Sequence, residues 1–560
     1  VKVDNSENKF TEKFYATTNT QLTEYSHNGL YGQEESQDKQ FYADVLLDIN
    51  KTWNNWSLHA NVGASISDMR SDAFSLRGPI ADGEVDPSES KNIPNVFNVF
   101  AISQSKSVKK QAGWREQTQA VYASAEIGFK NAYYLTLTGR NDWPSQLAGP
   151  RSNQKGFFYP SVGASVVLSE IIPNMPKQLE YLKVRSSWAS VGVPFGRWIA
   201  NPMHEWPDKG NSWNTQTAYP VENLKPERTN SWEVGITARF LNWFSLDASY
   251  YNTHTKNQTI YPEISTGSGY SEIPIQSGDV QNQGVELSLG FDKNWGIFGW
   301  NSSYTFSTNK NKIVSLVKDV MNPVTGEPLN ISAMEVGGLG NARFILKEGG
   351  SLGDLYSRQD FVRDSNGKIY VNAEGNVATE VIKDLDSYIK LGSVLPKANM
   401  AWRNDFKVQN FNFGFMLTAR LGGVVYSRTQ AMLDYYGVSE ASAAARDNGG
   451  VYINGSDLID ANKWYTAIGS GDAVPQYYTY SATNVRLQEA SIGYTFPKKM
   501  LGGLFDLTLQ VVGRNLWMIY NKAPYDPETV ASATSNFYSG LDYFMMPNTR
   551  NFGFNVRIKF

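Results

Sequence analysis

Among residue types that carry out covalent or metal chemistry, this sequence has four histidines and no cysteine. His27, His59, His204 and His254 stand far apart, and His204-Glu205 is not followed by a second histidine, so no zinc-protease helix is present. Without cysteine there is neither a disulfide framework nor a thiolate metal site. Gly469-Ser470-Gly471 and Gly267-Ser268-Gly269 lack the third glycine and the strand-to-helix setting of a dinucleotide loop, and read as loop tips. Asp364-Ser365-Asn366-Gly367 and Asp384-Leu385-Asp386 carry oxygen ligands of the calcium kind. Neither keeps the spacing or the closing glutamate of a calcium loop, so no cofactor is expected and a loop calcium stays only as an alternative. The 54 acidic residues are scattered, with no pair in a recognisable glycosidase setting. An enzyme is not expected.

The chemistry that remains is recognition by aromatic faces. Trp206, Trp213 and Tyr219 share one irregular stretch; Tyr435, Tyr436, Trp464, Tyr465, Tyr477, Tyr478 and Tyr480 share a second; Tyr525, Phe537, Tyr538, Tyr543 and Phe544 share a third. Rings with Asn, Asp and Gln nearby grip sugars or peptides by stacking plus hydrogen bonds. Trp206, Trp213, Tyr435, Tyr436, Trp464, Tyr465, Tyr477 and Tyr478 are the candidate ligand-contact residues; the alternative is that they pack loops together. The formal charge of -3 excludes a nucleic-acid binder with a basic face, and 41% hydrophobic residues exclude a disordered chain. No window approaches the length of an apolar membrane helix, in keeping with a mean hydropathy of -0.41.

These stretches must be positioned by strands, because the dominant pattern has a period of two. Phe552, Phe554, Val556 and Ile558 alternate with Gly553, Asn555, Arg557 and Lys559; Val285, Leu287, Leu289 and Phe291 alternate with Glu286, Ser288, Gly290 and Asp292. Trp232 to Phe240 and Phe411 to Ala419 repeat it, the latter with Met416 as an apolar intruder on the polar face. Further copies run Phe41–Ile49, Trp56–Ile66, Val121–Phe129, Tyr133–Gly139, Val162–Leu168, Leu182–Trp188, Phe244–Tyr250, Trp300–Phe306 and Phe505–Val511. Weaker ones cover Phe10–Thr23, Pro396–Phe406 and Val485–Phe496, the last with a phase slip near Glu489 that a bulge explains. The total is about sixteen strands, in the size range of transmembrane barrels.

Connections alternate between long and short. Ser67–Trp114, Gly192–Glu227, Lys256–Gln281, Ile313–Leu395, Val424–Thr483 and Met518–Pro547 are long; Lys51–Asn55, Lys130–Asn131, Leu241–Asn242, Lys293–Ile297, Val408–Asn410 and Pro497–Leu504 are short. All the long loops therefore leave one end of the sheet, the pattern of a membrane barrel with short periplasmic turns and long extracellular loops. The expected fold is all-β, an antiparallel transmembrane β-barrel with its apolar parity toward lipid. Arg239, Glu286, Asp292, Arg420 and Arg514 then face the lumen. A passive porin-like diffusion channel and a soluble all-β carbohydrate-binding protein remain open alternatives at this point.

Several segments resemble one family. Tyr134-Leu135-Thr136-Leu137-Thr138-Gly139-Arg140-Asn141-Asp142-Trp143, Phe157-Phe158-Tyr159-Pro160-Ser161-Val162 and Leu182-Lys183-Val184-Arg185 come first. Leu224-Lys225-Pro226-Glu227-Arg228 and Gly278-Asp279-Val280-Gln281-Asn282-Gln283-Gly284-Val285-Glu286-Leu287 follow. Gly493-Tyr494-Thr495-Phe496-Pro497, Gly513-Arg514-Asn515-Leu516 and Tyr525-Asp526-Pro527-Glu528 complete the set. In this order they resemble the SusC/RagA-like TonB-dependent transporters of the Bacteroidetes outer membrane.

That resemblance implies a plugged barrel of about 22 strands, of which these residues would be the C-terminal portion. About six strands and an N-terminal plug are then expected ahead of Val1. It further implies TonB-driven import of oligosaccharides or peptides, with a SusD-like lipoprotein lying over the loops as a lid and TonB acting through the N-terminal region. Phe560 is expected, by the same resemblance, to serve as an assembly signal for the barrel-assembly machinery. The location implied is the outer membrane of a Gram-negative bacterium, with membrane lipid around the wall.

Overall fold

The computed structural model describes residues 1–83, 85, 93–152, 154–199, 216–264, 266–322, 325–471, 474–532 and 538–560. The alternation is realised as β1 (Lys2–Phe14), β2 (Leu30–Trp53), β3 (Trp56–Pro79), β4 (Val108–Phe129), β5 (Tyr133–Pro144), β6 (Phe157–Val167), β7 (Leu179–Val193) and β8 (Glu227–Phe240). The order continues with β9 (Phe244–Ile260), β10 (Ile275–Trp295), β11 (Phe298–Ser315), β12 (Ala398–Val408), β13 (Phe411–Leu421), β14 (Asn484–Phe496), β15 (Asp506–Asn521) and β16 (Asn551–Lys559). They form one sheet of 16 strands, each paired with its neighbours in sequence order. Among the described residues β1 pairs only with β2, and β16 only with β15.

Turn chemistry sets one end of the sheet. Lys130 and Asn131 (φ 53 and 54°) and Leu241 and Asn242 (φ 59 and 60°) are left-handed pairs, the backbone that reverses a twisted hairpin in two residues. Asn54, Gly296 and Gln409 supply positive φ at three other short turns. The expected slip near Glu489 is a bulge: Met416 faces Glu489 and Leu417 faces Leu487, leaving Gln488 extra.

Strand bounds differ from the pattern at the other end. β2, β3 and β4 run for 24, 24 and 22 residues, about twice what a tilted strand needs to cross a bilayer. Their outer halves are mostly polar on both faces, so alternation fades there although pairing continues. For the same reason β1 spans Lys2–Phe14 rather than Phe10–Thr23, pairing with Leu30–Tyr42 of β2. The connection expected over Lys256–Gln281 shrinks to residues 261–274, because β9 and β10 continue outward.

The apolar parity forms a belt. One rung runs Ala238, Leu246, Leu289, Tyr304, Trp402, Leu417, Leu487 and Trp517 across eight strands. Among the described residues no second layer covers it: Val45 is 78% exposed and Leu47 62%. A soluble sandwich would bury that face, so the soluble alternative fails. At the short-turn rim the belt ends in rings. Phe240 stacks on Phe244 at 5.1 Å, Phe244 meets Phe291 at 4.9 Å, Phe291 meets Trp300 at 4.7 Å, and Trp300 stacks on Phe406 at 6.0 Å. Lys130 lies over Phe129 and Lys293 over Trp243 and Trp295, placing ammonium groups where headgroups begin. Phe560 sits on this rim, 6.0 Å from the Phe505 ring.

The compact hydrophobic core lies at the far end, where the connections 316–397, 422–483 and 522–550 fold into one lobe. Phe344, Leu355, Tyr426, Trp464, Ile468, Tyr478 and Leu541 are buried together there. Strand Val424–Ser427 joins the last two connections, pairing antiparallel with Thr479–Ser481 and parallel with Leu541–Asp542.

The two faces set opposite expectations for neighbouring residues. Leu289→Arg, on the belt, is expected to cost about 2–4 kcal/mol of folding free energy in lipid vesicles. Ser288→Arg, on the polar face, is expected to stay within about 0.5 kcal/mol of the parent in the same denaturant titration.

Candidate functional site

On the polar face, side chains link strand to strand. Arg185 of β7 reaches across β8 to Asp247 of β9, with Nη2–Oδ1 at 2.9 Å, while Thr237 donates to the same carboxylate at 2.6 Å. Glu233 stands 3.7 Å from the guanidinium. This crossing needs Gly235: a Cβ there would lie 2.6 Å from Arg185 Cζ. Glu286 lines the adjoining depression of about 440 Å³ together with Arg185, Glu233, Asp247 and Asn399. Nearer the short turns, Asp292 accepts from Asn301 at 3.1 Å in a hollow shared with Asp405, Asn412, Gln510 and Arg557. Arg239 lies over Tyr181 at 5.9 Å.

A second ladder explains the apolar intruder. Arg403, Met416, Glu489 and Arg514 share one cross-strand rung. Arg514 pairs with Glu489 at 3.0 Å and Arg403 reaches over Met416 to Glu489 at 3.5 Å. A long, unbranched side chain beneath an ion pair suits this position, because it fills space without competing for the charges. Arg420 differs from the other four polar-face candidates. It is roofed by the lobe, donating to the Val394 carbonyl at 2.9 Å, so it braces a loop root instead of standing in open water.

The loop aromatics divide by burial. Trp464 (4% exposed) and Tyr478 (1%) lie in the lobe core, so the expectation that they present free ring faces is corrected: their surface is spent on packing. Trp464 stacks on Phe361 at 5.7 Å, and Tyr477 meets both rings edge-on. Tyr465 is half-buried. Tyr435, Tyr436 and Tyr477 remain exposed on the lobe, with Tyr435 and Tyr436 in a T-shaped pair at 5.0 Å. Trp206 and Trp213 lie outside the described residues. Burial pushes the Tyr478 hydroxyl far up and, with the charge of Asp434, raises Tyr480 to about 12, so both stay neutral.

Three short helices hold this lobe: α1 (Arg428–Tyr435), α2 (Glu440–Asp447) and α3 (Ala461–Gly469). Each begins at a side chain that caps its free amides. Ser427 accepts from Gln430, Ser439 from Ser442, and Asp460 from Asn462 and Lys463. Arg428 donates to the Ser470 and Gly469 carbonyls at the end of α3, at 2.6 and 3.3 Å. Ser427 also donates to Asp542 at 2.6 Å, fastening the final connection. The sequence signal for α1 is the capping pattern Ser427-Arg428-Thr429-Gln430; helices of eight or nine residues are too short for periodicity to reveal.

One functional residue escaped the sequence reading. Arg486 of β14, 5% exposed, binds both oxygens of Asp526 at 2.9 and 3.2 Å and lies 3.3 Å from Glu528. It also donates to Asn484, while Asn548 donates to Asp526 at 2.7 Å. This cluster ties the 522–550 connection to the barrel wall. Burial pushes Asp526 up, but hydrogen bonds from Arg486, the Glu528 amide and Asn548 outweigh it and hold the carboxyl below its ordinary value. The available signal was Asp526-Pro527-Glu528, two acids on a stiff turn.

As for metals, Asp364 Oδ1 is taken by the amides of Asn366 and Lys368 in its own turn. Among the described residues no group of three His, Asp or Glu is arranged to hold an ion.

A family model described as TonB dependent receptor-like, beta-barrel matches residues 3–395. TonB-dependent receptor P3 of Formosa agariphila is 24% identical over 481 residues, covering 79% of this chain and 45% of that protein. TonB-dependent receptor SusC of Bacteroides thetaiotaomicron is 25% identical over 461 residues, 74% of this chain and 42% of that protein. The chain thus spans less than half the length of these curated relatives. Among solved structures, the RagAB peptide transporter superposes with a TM-score of 0.74 at 15% identity, over 100% of this chain and 59% of its own.

Two outcomes are expected here. Trp464→Ala is expected to lower lobe stability by about 3–5 kcal/mol, read as rapid protease cutting between residues 422 and 483, while Tyr436→Ala leaves the cutting rate unchanged. Arg486→Ala is expected to expose the 522–550 connection to protease at neutral pH, because it strands two carboxylates. In the parent the depressed Asp526 contributes fully above the ordinary value of 3.8, and that contribution fades only as pH falls through its lower folded value; a pH series of protease digestion checks this.

Proposed function

The chain belongs to the TonB-dependent receptor β-barrel family of the outer membrane, and from that premise we propose that it forms the wall and outer vestibule of an energy-dependent importer of the SusC/RagA type. The polar face lines the lumen and the lobe frames its outer mouth. The substrates are oligosaccharides or peptides. The work is binding and passage, with no covalent step, so the protein is not an enzyme.

The observation that carries this reading is the polar face itself. Ion pairs, amides and hydroxyls run across β7 to β15 and end beneath a folded lobe that bears exposed tyrosines. Paired charges keep a wall wet without giving it a strong field of one sign, which suits uncharged or zwitterionic polymers. Lobe loops of this length are normally functional, and exposed Tyr435, Tyr436 and Tyr477 offer ring faces to a substrate or to a SusD-like lid. The open edges of β1 and β16 leave room for pairing with further strands, and TonB would act through a plug of the SusC/RagA type. They also weigh against a porin of sixteen strands, in which the first and last strands would pair with each other. Phe560, on the aromatic rim beside Phe505, is proposed as the assembly signal read by the barrel-assembly machinery.

Uptake of a labelled oligosaccharide or peptide library by cells carrying the full-length protein tests the reading. Import is expected to stop when the proton gradient is collapsed. Unchanged entry under those conditions would establish a passive channel instead.

A further inference from the structure

Directly above the apolar belt, on its lipid-side face, a compact group of cations spans four neighbouring strands. The belt ends at Trp232 and Tyr250, whose rings meet edge-on at 6.2 Å. On the same parity, Lys310 of β11 stands opposite Gln283, in the register of Asn252 and Trp232. One rung higher Lys312 aligns with Gln281 and His254, and above that Lys256 aligns with Arg228 and Asp279. Four permanent cations thus face one carboxylate, a net charge of +3 with histidine neutral.

Pairing does not cancel this charge. Asp279 hydrogen-bonds His254 at 2.9 Å and lies 3.9 Å from Lys256, while among the described residues Arg228 is bound to neutral oxygens, those of Ser190 and Phe158. Lys310 and Lys312 are exposed and make no ion pair among the described residues. By contrast, of the cations at similar height on β2 to β4, Arg70 is neutralised by Asp72 at 2.7 Å and Arg115 by Asp68 at 2.6 Å. Nor can the lysines turn inward. The opposite face of this part of β11 is occupied by the lobe: Ile313 is fully buried against Leu316 and Leu346, and Asn311 accepts from the Leu352 amide at 2.8 Å.

We propose that Lys256, Lys310 and Lys312, with Arg228, form a binding site for the phosphate-bearing headgroup of an outer-leaflet lipid. Height selects a lipid: along their own strands Arg228 lies four residues beyond Trp232 and Lys256 six beyond Tyr250, where headgroups replace acyl chains. Charge selects an anion, and three flexible ammonium groups suit a phosphate met from several directions. The strands hold the site rigid while the neighbouring lobe meets substrate, so a bound lipid would fix the wall beneath that lobe.

The test is native mass spectrometry of the full-length protein in non-ionic detergent, titrated with phosphatidylglycerol and, separately, phosphatidylcholine. The parent is expected to prefer phosphatidylglycerol. Each cation near an anionic lipid is worth about fivefold, so Lys256→Gln/Lys310→Gln/Lys312→Gln is expected to reduce that preference at least about tenfold without changing phosphatidylcholine binding. The corresponding triple arginine variant is expected to keep it. Should the glutamine variant not fold, Asp279→Asn, which removes the one opposing charge, is expected to raise phosphatidylglycerol affinity about fivefold. A parent with no preference, or a glutamine or Asp279→Asn variant whose preference equals the parent's, would overturn the proposal.

Discussion

Everything in this structure depends on one constraint: in hydrocarbon a backbone amide has no water to fall back on, so each strand must find its partner in the next one. Sixteen strands meet it by consecutive antiparallel pairing, which frees the side chains to divide by parity. The apolar set lies uncovered on one face and the charged set is linked strand to strand on the other. Because register is shared around the sheet, a rung such as Leu289, Tyr304, Trp402 and Leu417 is a set of apolar neighbours on one face. The aromatic rim at the short turns and the Trp232–Tyr250 pair mark the two limits of that apolar face.

Beyond the upper limit the rules change, and so does the architecture. Where water bathes both faces, β2 to β4 continue as polar hairpins, and the longer connections gather a hydrophobic core of their own. That core belongs to no single loop. Tyr426, Trp464 and Tyr478 come from one connection, Phe344 and Leu355 from another, Leu541 from a third. Hydrophobic burial thus does opposite things at the two levels: below, apolar residues face outward to lipid; above, they turn inward to one another.

Charges follow the same division. On the polar face of the wall, Arg185 and Arg514 are held by carboxylates one or two strands away, at partly exposed positions where each pair contributes modestly and the network sets geometry. Arg486 is nearly buried, and there the pair with Asp526 matters through the penalty of losing either partner. It ties a long connection to the sheet. Gly235 shows how backbone space serves this electrostatics, since only a missing side chain lets Arg185 cross to Asp247.

How much of this was legible in the sequence follows from the range of each interaction. The strand count, the belt, the short turns and the bulge beside Glu489 are written in alternation and turn residues, which are local along the chain. The outer halves of β2 to β4 were not legible, because alternation encodes a difference between two environments and there is none where both faces are wet. The aromatic candidates were identified by type, but whether a ring is surface or core is decided by what packs on it: Trp464 stacks on Phe361, more than a hundred positions away, and Tyr478 lies in the same core, whereas Tyr436 stays exposed. The caps of α1 to α3 could be read from Ser427, Ser439 and Asp460, yet the helices were too short to show a period. By itself, then, the sequence determined a two-faced sheet and its ends. Only the tertiary structure decided which loops share a core, and that Arg486 would meet Asp526, because those contacts join residues that no periodicity links.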